Sequence, residues 1–493
     1  VKISIERDGP TPLHLQIAHA IREQILAGAL QGDGRLPPSR KLAKALGVNR
    51  GTVTQAYQIL WSQGLIEGRV GRGTSILPAA AGSETGYAPL PWEMLIAGGS
   101  EQEDHEVRDF VRLIDRDDLI SLAAGLPAPD LYPMEALRSI TDDVLAREGR
   151  TLLHWCPVEG HAPLRRLLAE RFAEVHPNEI LILSGSTQGI FLLARALIAP
   201  GDLVAVQSPT YIGALQVFRA AGARIVGIPS GAEGIDPAAI ENVFARARPK
   251  LFYAVPTFHN PTGETMSLDT RTRLLRSAAR HGVPILEDDP YAMLRYDGEE
   301  IPSLKELDAH GHVLYVSTFS KVLFPGLRIG YLAAPQPVVE KLKSGKHLQD
   351  LFTNSLGQAA VFEFARRGLL DEHAARMRDE YRARRDAMTE ALRRRAPSLA
   401  FSPPEGGYFI WAKLPDGSAA RELLREALRK KVSFVPGDLF SPDGRERDRI
   451  RINFASHAPE TIEEGVRRLG SALRALRRER RAESREEPAR PIV

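Results

Sequence analysis

Cysteine is almost absent: Cys156 is the only one in 493 residues. An intrachain disulfide framework and a cysteine-cluster metal site are thereby excluded. No apolar run approaches the about 18 residues that a membrane-spanning helix needs, so no membrane association is expected. Residues 1–8, VKISIERD, carry no apolar signal-peptide core, and a cytoplasmic location is the expectation. A strong charge of one sign is also missing. The formal net charge is +3, so any basic surface must be local. There is no internal repeat. What remains is the composition of an ordinary globular protein, long enough for about two to four domains.

Residues 11–28 place Leu13, Ile17, Ala20, Ile21, Ile25 and Leu26 on one helical stripe, which Gly28, Gly32 and Gly34 end. Pro37 and Pro38 then break the chain and Ser39 caps a second helix, with Leu42, Ala45 and Leu46 expected to face inward. After the turn Gly47-Val-Asn49, a third helix starts at Arg50 with Val53, Ala56, Tyr57 and Leu60 as its buried face. Arg50, Thr52 and Thr54 lie near its start and point elsewhere. That end of a recognition helix meets base edges and phosphates. Two short strands around Gly71-Arg72-Gly73 read as a hairpin wing, whose Arg72 tip could reach a groove or a phosphate. Residues 1–77 hold ten lysines and arginines against five carboxylates. A solvated helical surface is the plainer use of such charge, but the added wing favours DNA.

Arg35-Leu-Pro-Pro-Ser-Arg40, Gly47-Val-Asn-Arg50-Gly-Thr52-Val53, Ala56-Tyr57, Gly64-Leu-Ile66 and Gly71-Arg-Gly-Thr74 together resemble the winged helix-turn-helix of the GntR family of bacterial transcription regulators. The resemblance implies DNA contacts by Arg40 and Arg50. Placement adds Thr52, Thr54 and Arg72. This domain is expected over residues 1–77.

Residues 78–118 read as a linker, rich in Pro, Ala and Gly and then acidic. From Leu119, helical patterns alternate with short apolar strands at Ile180–Leu183, Leu203–Val206, Arg224–Ile228, Leu251–Val255, Pro284–Glu287 and Val313–Val316. The alternation predicts a large α/β domain over 119–374 with a mainly parallel sheet and its sites on the loops after the strands. A long charged helix, Ala375 to Arg395, opens a small α+β domain over 375–476. The charge-rich stretch 477–493 is expected to be a disordered tail.

Chemistry gathers at the strand ends. Lys321 follows Val313–Val316 in Ser317-Thr-Phe-Ser-Lys321. In a half-buried pocket its amine can lose a proton and attack a carbonyl, because desolvation disfavours the ammonium. A surface lysine in a polar turn is the alternative. Thr318, Ser320 and Arg328 are of the kind that holds phosphate. Ser186 and Thr187 open a helix, suited to a phosphate or to a plain cap. Tyr211 can stack on a flat ring or fill a turn. Asn260 is aimed by the turn Asn260-Pro-Thr-Gly263. Glu287-Asp288-Asp289-Pro-Tyr291 puts carboxylates where a metal, a cap or a cation partner would use them. The metal fares worst, since no His or Cys sits at matching spacing. Arg451, between Ile450 and Ile452, calls for an anion, either a ligand's acid group or an internal salt-bridge partner.

In this order the motifs resemble the fold type I pyridoxal-phosphate aminotransferases over residues 120–474. The resemblance implies pyridoxal 5'-phosphate on Lys321 as an internal aldimine, and Asp288 on the pyridinium nitrogen. Asn260 and Tyr291 would serve the phenolic oxygen, and Tyr211 would stack on the ring. Ser186, Thr187, Thr318, Ser320 and Arg328 would hold the phosphate. Lys321, Asp288 and Tyr291 form the implied catalytic set, and Arg451 the carboxylate anchor. Leu119–Pro133 matches the segment lining the substrate side. Where that family has a tyrosine reaching the neighbouring subunit's cofactor, this chain has Trp155, bulkier and with a single N–H donor.

A winged helix, a linker and such a domain make the layout of the MocR subfamily of GntR regulators. The fold class expected is therefore α/β: a winged helix-turn-helix, a fold type I aminotransferase-like large α/β domain and a small α+β C-terminal domain. The implied function is a transcription regulator that binds pyridoxal 5'-phosphate and senses a small amine or amino-acid effector, or the cofactor itself. It would act on double-stranded promoter DNA as a head-to-tail homodimer, in the bacterial cytoplasm and at the nucleoid when DNA-bound. A working aminotransferase with a DNA-binding domain is the second reading. A DNA-binding protein whose large domain has lost its cofactor is the third.

Overall fold

The computed structural model describes residues 3–7, 11–27, 29–30, 35–63, 65–69, 73–76, 116, 118–231, 234–415 and 417–486. The wing tip with Arg72 and nearly all of the linker lie outside them. The chain divides into two compact units, 1–99 and 100–493.

In the first unit, α1 (Leu13–Leu26), α2 (Ser39–Leu46) and α3 (Arg50–Ser62) pack with a three-stranded antiparallel sheet. Its strands are β1 (Arg35–Leu36), β2 (Ile66–Arg69) and β3 (Gly73–Ile76), in the order β1-β3-β2. Gly47 ends α2 at φ 65°, a left-handed conformation that a side chain would strain. Asn49 caps α3, its Oδ1 accepting from Gly51 N at 2.8 Å. These two residues set the turn between the helices. Val53, Ala56, Tyr57 and Leu60 are buried as expected. Ala18 and Ala43, rather than Ala20 and Ala45, complete the buried stripes of α1 and α2. Both helices pack on α3, and that contact line runs one or two positions round from the one the aliphatic spacing marks.

The first described strand of the second unit is β4 (Ile120–Ser121), and the unit is built on an eight-stranded sheet. Its strands are β5 (Ile180–Leu183), β6 (Leu203–Ser208), β7 (Arg224–Gly231), β8 (Gly234–Ile235), β9 (Leu251–Ala254), β10 (Ile285–Asp288), β11 (Val313–Thr318) and β12 (Gly330–Ala333). Their order is β5-β12-β11-β10-β9-β6-β7-β8. All six strands expected from apolar runs are present. The two-residue β8 and the strand β12 are additions, β12 lying antiparallel between β5 and β11. It can sit there because Gly330 lacks a side chain: a Cβ would stand 2.8 Å from both Gly185 C and Ser186 N. Strands β11, β10, β9, β6 and β7 are parallel neighbours. Their C-terminal ends therefore share one edge, where α/β sheets place their ligands.

A second sheet, order β13-β14-β17-β16, holds β13 (Ala400–Phe401), β14 (Phe409–Lys413), β16 (Val435–Pro436) and β17 (Arg449–Asn453), while β15 (Val432–Ser433) pairs with β4. Three expected boundaries move. Residues 120–121 belong with the C-terminal region, because Ile120 and Ser121 pair in parallel with Val432 and Ser433. The long helix begins at Leu369, not Ala375. The last helix runs from Pro459 to Glu486 without a break at 477. Its stripe Ile462, Val466, Leu469, Leu473 and Leu476 is buried, and Arg480 reaches Ser418 Oγ at 3.3 Å and Glu422 at 3.5 Å. Those contacts carry the helix into the charged stretch, whose last residues, 487–493, lie outside the described part. Among the described residues no helix is long and apolar enough to cross a membrane.

Candidate cofactor and ligand site

One cavity of about 550 Å³ lies within the second unit, at the C-terminal edge of the parallel strands. Lys321, Asp288, Tyr291, Asn260, Tyr211, Ser186, Thr187, Thr318, Ser320, Arg328 and Arg451 all line it. These residues span 266 positions of the chain, from Ser186 to Arg451; the large sheet brings all but Arg451 to one edge, and β17 of the second sheet supplies Arg451.

Lys321 follows β11. Its Nζ donates to Gly125 O at 2.6 Å, and Tyr408 donates to the Lys321 carbonyl oxygen at 2.5 Å. Burial, and then the Arg451 charge, lower its pKa to about 8. Asp288 ends β10 and is 4 % exposed. Its Oδ2 accepts from Tyr253 OH at 2.7 Å, while its Oδ1 is buried with no hydrogen-bond partner among the described residues. Burial pushes the carboxyl up to about 7, opposed by the Tyr253 bond. A cation facing the free oxygen would restore the ionised form.

Three adjacent carboxylates divide by strand alternation. Glu287 caps the short helix Leu304–Leu307 by accepting from Leu304 N and Lys305 N, each at 2.8 Å. Asp289 accepts from Tyr315 OH at 3.0 Å. Only Asp288 lines this cavity.

Arg451, 7 % exposed on β17, donates to Asn260 Oδ1 at 2.8 Å and to Ala123 O at 2.6 Å. Its guanidinium lies 4.1 Å from the Phe409 ring centroid and 4.9 Å from that of Phe440. Burial lowers its pKa to about 10. Its Nε has no partner among the described residues, so the cation is short of an anion. Tyr291 is buried between Tyr408 and Phe409, and burial pushes both its phenol and that of Tyr211 up.

A cluster of phosphate-type donors forms where β5 and β11 end. Ser186 and Thr187 line the cavity at the start of the helix Ser186–Leu197, an end suited to an anion. Thr318 Oγ1 lies 3.0 Å from Ser320 Oγ. Arg328 adopts φ 56° and lays its guanidinium 3.4 Å from both Ser320 Oγ and Ser184 O. Gly185 makes room, since a Cβ there would collide with the Arg328 guanidinium. An orphaned carboxylate oxygen, an amine with a lowered pKa and this cluster fit the pyridine nitrogen, aldehyde and phosphate of pyridoxal 5'-phosphate. Among the described residues no three His, Cys, Asp or Glu side chains could hold a metal ion together.

Trp155 stands apart from this cavity. It is 54 % exposed, with its edge against Phe352. In the first unit, Arg40, Arg50 and Thr54 are exposed and Thr52 half-buried. Thr54 Oγ1 donates to Arg50 O at 3.0 Å, tying it to its own helix. Arg72 lies outside the described residues.

Residues 117–469 match the family model for class I and II aminotransferases, and residues 13–76 that for gntR-family bacterial regulatory proteins. The probable rhizopine catabolism regulatory protein MocR of Rhizobium meliloti is 30 % identical over 482 residues, 96 % of each chain. The chain belongs to the MocR subfamily of GntR-family regulators. This MocR-type regulator also resembles 2-aminoadipate transaminase of Thermus thermophilus, at 39 % identity over 79 % of the chain and 98 % of that enzyme. LysN, the α-aminoadipate aminotransferase of Thermus thermophilus, was solved with N-(5'-phosphopyridoxyl)-L-leucine. It superposes with a TM-score of 0.72 at 38 % identity, over 76 % of this chain and 95 % of that one.

The motifs do not reveal Tyr253 or the carbonyls of Ala123 and Gly125. Tyr253 sits inside an apolar run and reads as core. Only the register Tyr253↔Leu286 puts it on the same sheet face as Asp288. Two outcomes follow. Attachment of pyridoxal phosphate to the cofactor-free regulator, followed by absorbance, should quicken about tenfold per pH unit up to about pH 8 and level off above, because only the neutral Lys321 amine reacts. Tyr253→Phe keeps the ring but removes the bond to Asp288 and raises that carboxyl's pKa further. Titration should show cofactor affinity lower by about tenfold, or about 1.4 kcal/mol.

Proposed function

We propose that this MocR-type regulator carries pyridoxal 5'-phosphate on Lys321 and reads a small amine bearing an acid group through Arg451. The observation that carries the reading is one cavity holding a lysine with a lowered pKa, an unpartnered Asp288 oxygen and an anion-seeking Arg451, in a chain that also bears a GntR winged helix. When bound, the cofactor supplies an aldehyde that primary amines can condense with and a ring that withdraws electrons. The chain's residues do the rest. Lys321, neutral in part near pH 8, is the nucleophile. Asp288 faces the ring nitrogen and holds its proton. Asn260, oriented by Arg451, and Tyr291 address the phenolic oxygen, and Tyr211 covers the ring. Ser186, Thr187, Thr318, Ser320 and Arg328 grip the phosphate. Phe409 and Phe440 keep water from Arg451, which strengthens its pull on an acid group.

Two further elements complete the proposal. Arg40, Arg50, Thr52, Thr54 and Arg72 contact promoter DNA in the cytoplasm. The regulator pairs head to tail, and the exposed Leu153, Trp155, Leu348 and Leu351 support a face covered by a second copy.

The function is tested by titrating the full chain with a panel of amines while following the visible absorbance band, then measuring DNA affinity with each responder. Amino acids should shift the band and change DNA affinity. Arg451→Ala should keep the band and lose the response to the acid group. Sustained release of a keto acid under the same conditions would replace the sensor with a catalyst. Arg50→Ala should weaken DNA binding by about 1–3 kcal/mol if the arginine makes a bidentate base contact. Affinity should also fall steeply with salt, as phosphate neutralisation releases counterions.

A further inference from the structure

Ser121 and Ala123–Leu126 form one wall of the cavity, and the carbonyls of 121–126 are gripped almost one after another. Ser121 O lies 2.9 Å from His457 Nε2. Leu122 O accepts from Asn453 N at 2.8 Å. Ala123 O accepts from Arg451 at 2.6 Å, Gly125 O from Lys321 at 2.6 Å, and Leu126 O from Ser456 Oγ at 3.0 Å. Three of these donors, His457, Asn453 and Ser456, have no part in the proposed ligand site. The other two are the lysine and the arginine that the cofactor and the acid group would claim. This strap is also continuous in sequence with residues 78–118, which lead back to the winged helix.

We infer that the strap 119–127 is an occupancy switch: loading Lys321 and Arg451 releases Gly125 and Ala123 in turn, and so frees the segment tethering the DNA-binding unit. The inference rests on the cofactor reading above. Condensation of the Lys321 amine with the cofactor aldehyde forms a carbon–nitrogen double bond and releases one water. The nitrogen is then aimed at the cofactor and no longer at Gly125. When an amino acid takes over that carbon, its two amine protons pass to Lys321, which can hold Gly125 again. The acid group meanwhile occupies Arg451 and takes it from Ala123. Each ligand thus binds one strap arrangement better than the other, which is what shifting an equilibrium requires.

Hydrogen–deuterium exchange on the full chain tests this in four states: cofactor-free, with pyridoxal phosphate, and with pyridoxal phosphate plus either L-alanine or ethylamine. Exchange over 119–128 should rise severalfold on loading with pyridoxal phosphate, while 318–328 becomes protected. L-alanine should change the strap again, and ethylamine, lacking the acid group, should not do so in the same way. Protection at 318–328 with an unchanged strap overturns the switch and leaves the cofactor reading standing. No change in either segment overturns both. Identical responses to the two amines overturn the Arg451 arm. Ser456→Ala removes a grip that no ligand contacts. It should speed strap exchange without cofactor and shift DNA affinity in the direction that loading does. A faster strap with unaltered DNA affinity overturns the link to DNA.

Discussion

Charge held out of water is the constraint on which the second unit depends. Asp288 and Arg451 are almost wholly buried, and Lys321 faces the same cavity. Each would be costly there without partners. Tyr253 takes one oxygen of Asp288, Asn260 and Ala123 take two nitrogens of Arg451, and Gly125 takes the Lys321 amine. What is left over, one carboxylate oxygen and the Arg451 Nε, defines what the cavity can receive. Burial itself, rather than the pairing, leads in setting the pKa values, and with the Arg451 charge it makes Lys321 available as a nucleophile near pH 8.

The partners of these charges come from distant stretches of chain. Parallel strands bring Ser186, Tyr211, Asn260, Asp288 and Lys321 to one edge, and β17 brings Arg451 from the second sheet. The wall opposite is the strap, which pairs through β4 with β15 rather than with the large sheet. The two cations that a ligand would engage, Lys321 and Arg451, are thus bonded to this strap. The proposed switch uses that bonding as its link between small-molecule chemistry and the DNA-binding unit.

Legibility varied with the kind of residue. Lys321, Asn260 and Arg451 could be read because a charged or amide side chain beside a β-strand run is chemically conspicuous, whereas Asp288 was singled out among three adjacent carboxylates by the family resemblance. Tyr253 could not, because a tyrosine in an apolar strand is ordinary core and its partner is 35 positions away. The strand β12 was hidden by Gly330, which interrupts the apolar run around it. The charged stretch after 476 looked unable to fold by composition, yet the buried stripe before it and the reach of Arg480 to Ser418 and Glu422 carry the helix to Glu486.

By itself the sequence determined the order of the two matched parts, a winged helix and then an alternating α/β region, and the residue types at each strand end. Local rules suffice for these, since periodicity, caps and turn residues act within a few positions. Only the tertiary structure decided what Glu287 and Asp289 do instead, that Tyr253 supports Asp288, and that Lys321 and Arg451 both hold the strap. Those are matters of strand register and of contacts between segments remote in the chain, and no local pattern encodes them.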